Sequence, residues 1–194
     1  RESTPQSRPK AEQMRDLEVG HTFQVNSKKQ GSKFALTSNV YWMDYTNQLI
    51  LTGKINDVGG YTRINVPKSY RAGIELYAYY KVVQGFVING TITLSKNQIQ
   101  SFDEYVDVYY DTLPYYDQKL IQHKNTNLAL SPNIIGNIGF SLVPFNNFTV
   151  DWMTKFVGRQ YLDNTSDINR SMNPFNYSNL NLSYSLKKVL FEEI

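Results

Sequence analysis

The stretch SFDEYVDVYYDTLPYYDQ, residues 101–118, gathers Phe102, Tyr105, Tyr109, Tyr110, Tyr115 and Tyr116 among five acids, with no Lys or Arg interrupting it. Tyrosine offers broad contact area with a polar tip, which suits capture of a chelate, sugar or peptide. A simpler reading is a strand that runs past its sheet, its tyrosines covering neighbouring segments. The acids do not follow the calcium-loop spacing. A second set, Arg71, Glu75, Tyr77, Asp151, Lys155 and Arg159, falls on the same parity as Asn, Ser and Thr in alternating runs. His21 and His123 lie far apart, outside any ligand motif, and there is no cysteine. That excludes a disulfide scaffold and a thiolate metal site. No nucleophile elbow, phosphate loop or zinc signature occurs, and nothing arranges Asp and Ser around a His. The residues therefore point to binding, with no enzyme activity, no cofactor and no metal. Asn164-Thr165-Ser166 matches a glycosylation sequon, which an Asn-rich chain produces without a glycan.

These residues sit on elements with period-2 alternation. Seven strands are predicted within the 194 residues: 17–25, 33–45, 71–82, 86–95, 133–142, 148–161 and 177–186. In the last, Leu180, Leu182, Tyr184 and Leu186 oppose Asn179, Asn181, Ser183 and Ser185. His21 falls on the apolar parity of the first. Net charge is +3 with mixed signs, so no nucleic-acid partner is implied. No run approaches the ~18 apolar residues of a membrane helix. Alternating membrane strands escape that test, because they average to neutral hydropathy. The opening RESTPQSRPKAEQ has no apolar core and reads as a mature start or as a piece of a longer chain.

The connections alternate short and long without exception. An up-and-down meander then has one tight end and one elaborated end, as outer-membrane barrels do. Several strands reach the ~9–11 residues that a tilted bilayer crossing needs. Phe148 and Phe156, eight positions apart, bracket roughly 20 Å of membrane height at ~3.3 Å per residue and ~40° tilt. The predicted fold is all-β, an antiparallel up-and-down transmembrane β-barrel. A soluble β-sandwich, as in a carbohydrate-binding module, also alternates. Wet faces rich in Asn, Ser and Thr, the strict loop alternation and the strand lengths argue against it. A barrel enzyme should carry a Ser/His pair on the wet parity, and those faces hold no His.

Motifs in order along the chain resemble the C-terminal part of TonB-dependent outer-membrane receptors, in the form common in Bacteroidetes. Pro9, Glu12, Glu18 and Gly20 stand at the family's Pro-x-x-Glu…Glu-x-Gly segment; Arg71, Gly73, Ile74 and Glu75 at its Arg-x-Gly-Ile-Glu segment. Ser131 and Pro132 match its Ser-Pro hairpin, and Gly158, Gln160, Tyr161, Leu162 and Asp163 its Gly-x-Gln-Tyr-Leu-Asp strand end. The resemblance implies a barrel of about 22 strands around an N-terminal plug. This chain would supply about seven of those strands. The plug, the TonB-contacting segment and the final two strands would lie outside residues 1–194. It implies active import across the bacterial outer membrane, with TonB, the plug and lipid as partners. A ferric siderophore or similar chelate is the first expectation for cargo. Import of an oligosaccharide or peptide with a surface lipoprotein is the second. Tyr105, Tyr109, Tyr110, Tyr115 and Tyr116 become external ligand-binding candidates. Arg71, Glu75, Tyr77, Asp151, Lys155 and Arg159 become lumen-facing candidates.

Overall fold

A computed structural model describes residues 9–27, 32–55, 61–113 and 116–186. Side chains at 52–55, 61, 62, 105, 116 and 118 are outside that description. The strands are β1 (Gln13–Asn26), β2 (Lys33–Ile55), β3 (Tyr61–Val83), β4 (Phe86–Tyr109), β5 (Tyr116–Asn127), β6 (Ile134–Phe145), β7 (Phe148–Val157), β8 (Gln160–Tyr161), β9 (Ser171–Met172) and β10 (Phe175–Tyr184). One antiparallel sheet runs β1-β2-β3-β4-β6-β7-β10, with β5 paired to the outer half of β4. All seven predicted strands have their counterparts on this path, but the sixth, predicted to Tyr161, ends at Val157, and Gln160–Tyr161 pair with β9 in a separate two-stranded sheet. Among the described residues no helix is long and apolar enough to cross a membrane.

Partners across an antiparallel ladder share a face, so the register tests the parity reading directly. Val25, Phe34, Tyr80, Ile88, Phe140, Trp152 and Leu180 form one row across all seven strands. Thr22, Thr37, Tyr77, Thr91, Asn137, Lys155 and Tyr177 form a row on the opposite face. The alternation is thus one continuous apolar face backed by one continuous polar face. The apolar face stays open: Trp42 is 52% exposed and Leu180 63%. A sandwich would cover it with a second sheet, and the described strands form a single layer with a two-stranded appendage. So large an exposed apolar surface needs a non-aqueous neighbour. Aromatic pairs brace it. Trp42 stacks on Tyr70 at 5.2 Å towards the long-connection end. Phe34–Tyr80 and Phe145–Phe148 meet towards the short-turn end. This is the girdle pattern of a membrane barrel.

At that end the turns are tight. Gln84-Gly85 and Asn146-Asn147 each join strands in two residues, with φ of 80° at Gly85 and 65° at Asn147. The other end departs from expectation. Two of the three predicted long loops are largely strand: β2 and β3 continue as a paired hairpin, and β4 and β5 form another. Sequence periodicity stops short because the buried parity switches there. Asn47, with φ of 57°, lies opposite Pro67, and above it Gln48 and Ile50 become the buried positions. Asn125, with φ of 53°, lies opposite Gln100, between buried Ile99 and buried Phe102. Pro67 lacks a ladder donor, and it is tolerated because pairing with β4 begins only at Ser69. Asn65 donates from Nδ2 to the Asn47 carbonyl at 2.7 Å, satisfying that acceptor at the irregularity.

The principal hydrophobic core lies at this end and not in the barrel wall. Ile50, Val66, Ile99, Phe102 and Leu128 cluster there, with Ile64 against them. Each fully buried aliphatic contributes about 1.5–3 kcal/mol, enough to hold two hairpins together outside the apolar band.

Candidate functional site

Two regions carry the chemistry: the polar face and the long-connection end. Arg71, Glu75 and Tyr77 lie on β3, and Asp151 and Lys155 on β7, all on the polar face. Glu75 pairs with Asn39 on one side and Thr93 on the other. Thr37, Asn39, Glu75, Tyr77 and Thr91 line a dent of about 300 Å³. Asp151 lies between Ser141 and Asn181, and Lys155 between Asn137 and Tyr177. Among the described residues Glu75, Asp151 and Lys155 join no ion pair. They remain available to groups that approach the face. Other polar residues bond across the ladder: Asn137 Nδ2 donates to Thr91 Oγ1 at 2.6 Å, and Asn39 Nδ2 to the Glu18 carboxylate at 3.3 Å. Arg159 stands apart, past the end of β7, and donates to Ser171 Oγ at 2.8 Å.

Gly73 explains why the Arg-x-Gly-Ile-Glu segment needs glycine. A Cβ there would meet the Leu94 carbonyl and the Tyr41 hydroxyl, both at 2.7 Å. The Tyr41 ring lies over the missing side chain, an aromatic cover for a strand glycine.

The tyrosine-rich stretch forms the tip of the β4–β5 hairpin. Tyr105 and Tyr109 lie on β4 opposite Leu120 and Tyr116 of β5. Tyr110 and Leu113 lie in the turn, exposed, as is Tyr109. Tyr115 and the side chains of Tyr105 and Tyr116 are outside the described residues. The structure thus splits the candidates between two strands and a turn.

Sequence reasoning missed the joint between these hairpins and the β7–β10 connection. Asn164, 3% exposed, donates from Nδ2 to the Leu51 carbonyl and accepts from the Ala129 amide, both at 2.8 Å. Its side chain is buried and bonded through both its nitrogen and its oxygen, which leaves the sequon no room for a glycan. Asn127 donates from its backbone to Ser166 Oγ at 2.7 Å. Arg170 bridges Glu104 of β4 and Asp163, each at 3.0 Å. Glu104 also holds His123 at 2.7 Å, and the His123 ring stacks on Phe102 at 4.9 Å. Burial would raise the Asp163 carboxyl, but hydrogen bonds from the Thr165 hydroxyl and amide and from Arg170 outweigh it and hold it below its ordinary value. Arg170 is raised in turn by its hydrogen bonds to Glu104 and Asp163. The Gly-x-Gln-Tyr-Leu-Asp stretch is therefore a structural clasp. Only its order and spacing signalled it.

No curated protein matches this chain. Among solved structures it resembles the FrpB iron transporter from Neisseria meningitidis (F3-3 variant), with 15% identity and a TM-score of 0.54. That alignment covers 91% of this chain and 25% of the transporter, so the chain spans about a quarter of the relative's length. The likeness is one of fold. The family model described as TonB dependent receptor-like, beta-barrel, matches residues 5–191. The two-faced sheet, its aromatic edges and this match agree: the chain belongs to the β-barrel family of TonB-dependent receptors, proteins of the bacterial outer membrane.

Proposed function

We propose that the chain is the C-terminal portion of the barrel of an outer-membrane receptor that imports a scarce nutrient with energy from TonB. The observation that carries this reading is the sheet itself, with one face apolar across seven strands and the other polar. In a bilayer the apolar face meets lipid, and the polar face, with Arg71, Glu75, Tyr77, Asp151 and Lys155, lines a lumen and meets the plug. Free strand edges cannot stand in lipid, so β1 and β10 pair with further strands of the same barrel. The β4–β5 tip, with Tyr105, Tyr109, Tyr110 and Tyr116, meets the ligand first, and Tyr115, outside the described residues, stays a candidate from the sequence. Cargo is a ferric siderophore or similar chelate, a reading supported by the iron transporter whose fold this chain shares. The tyrosine-and-acid tip also suits an oligosaccharide or peptide presented by a surface lipoprotein.

The test is uptake by cells carrying the whole receptor, with radiolabelled ferric siderophores, an oligosaccharide panel and a peptide panel supplied separately. Accumulation of a ferric chelate that disappears when TonB is deleted supports the reading. Accumulation of only a sugar or peptide moves the cargo assignment and keeps the mechanism. Accumulation indifferent to TonB overturns it.

A further inference from the structure

Lys33 of β2 and Lys81 of β3 are partners across the ladder. They stand on the polar face at the short-turn end, two and four positions beyond Tyr79 and Tyr77 in the case of Lys81. Like charges directly opposite one another destabilise a sheet. Lys81 Nζ donates to Gln84 Oε1 at 2.9 Å, a neutral partner, and among the described residues neither lysine joins an ion pair. Their row continues to Asn26 on β1 and, on the other side, through Val87 and Ser141 to Asp151 on β7. That acid lies roughly 14 Å beyond Lys81 at the usual strand spacing.

The sequence supplies no counter-charge at this end. Residues 24–37, 76–91 and 139–150, which form the three hairpin ends, hold no Asp or Glu. The first turn adds Lys28 and Lys29, outside the described residues, and the site is built without them. A neighbouring strand cannot supply the charge either. β2 and β3 are interior strands, flanked by β1 and β4, so no further strand of a barrel comes alongside either lysine. Lipid lies behind the opposite face. An anion therefore reaches the pair from inside the lumen. In a lumen filled by protein, water is scarce and an unpaired cation is costly.

We propose that Lys33 and Lys81 together grip an acidic segment of the N-terminal plug at the short-turn mouth of the lumen. The inference rests on the reading that the polar face surrounds a plug. Two ammonium groups converging on one acidic segment turn a like-charge repulsion into a pair of charge-assisted bonds. Flexible stems let both lysines reach the same segment. By the anatomy of such barrels this mouth opens to the periplasm. The grip thus lies at the far end of the lumen from the cargo-facing arms, and it is independent of what the cargo is.

Zero-length carbodiimide coupling joins an amine to a carboxylate in direct contact, and it tests this on the whole receptor in detergent. Peptide mapping by mass spectrometry is expected to find Lys33 or Lys81 joined to an Asp or Glu of the plug. Hydrogen exchange in the joined plug segment should be about tenfold faster in K33Q/K81Q, the factor that one charge-assisted bond supplies. K33R/K81R, which keeps the charge, should stay close to the wild type. K119Q/K124Q, on the outer arm, should leave that segment unchanged. Coupling of these lysines to carboxylates of residues 1–194 alone, no coupling at either, or exchange unaltered by K33Q/K81Q would overturn the proposal. Each of those results is compatible with TonB-dependent uptake, so the grip can fail while the transport reading stands.

Discussion

A single position can fall on either face of this sheet, and its neighbour shows what the choice costs. Leu182 pairs with Val150 on the apolar face, and Ser183 with Thr149 on the polar face. An arginine facing lipid costs about 2–4 kcal/mol near the midplane. Leu182→Arg should therefore cut assembly of the heat-resistant folded receptor in outer-membrane fractions, while Ser183→Arg should leave most of it. Equal loss from both would mean that the faces are assigned wrongly. Asn164 is the clearest case outside the membrane. Asn164→Ala strands the Leu51 carbonyl and the Ala129 amide, at about 1–3 kcal/mol for each buried group left unpaired. Hydrogen exchange at residues 127–131 and 160–172 should speed up, with the barrel strands unaffected. The face of Leu182 could be read from alternation alone. The role of Asn164 could not, because its partners are 35 and 113 residues away.

In β3 the pattern is regular where both neighbours are in place. β3 is flanked by β2 and β4 from Ser69 onward, and there the period-2 pattern matches the register residue for residue. Beyond Ser69 the hairpins leave the shared sheet, and Asn47 and Asn125 take positive φ. Asn tolerates that conformation and β-branched residues do not. Asn47→Val should destabilise the β2–β3 hairpin by about 1–3 kcal/mol, and Asn47→Gly should be near neutral; limited proteolysis of that hairpin separates the two. The β5 strand was illegible for a related reason. YDQKLIQHKNTN alternates poorly, since it pairs only with β4 and its burial changes parity at Asn125. The clasp that joins these elements responds to acid. The depressed Asp163 carboxyl contributes stability above its unfolded pKa and loses it as pH falls through the lower folded value. The attachment should be complete at neutral pH and loosen below about pH 4. Exchange at 163–172 that stays constant from neutral pH to pH 3 would contradict this.

At the scale of the molecule, the wall was legible and the superstructure was not. A barrel wall repeats one local rule, so alternation, turn length and motif order suffice to name it. The outer end obeys a different rule, that of a small packed core in which Ile50, Val66, Ile99, Phe102 and Leu128 meet from distant segments. Nothing local announces such meetings. The tyrosines show the limit well: the place of Tyr105, Tyr109 and Tyr116 follows from β4 and β5 pairing, while their ligand does not follow from the fold.

The paired hairpins have a mechanical consequence. A floppy loop transmits no force, but a two-stranded arm swings as a unit. From Gln100, where the β4–β5 pairing is interrupted, to Tyr109 the arm is roughly 30 Å long at ~3.3 Å per residue. A tilt of about 10° at its base then sweeps the tip through about 5 Å. Asn125 and Asn47 mark where the two arms leave the wall, and the Asn164 and Arg170 contacts tie the arms to the β7–β10 connection.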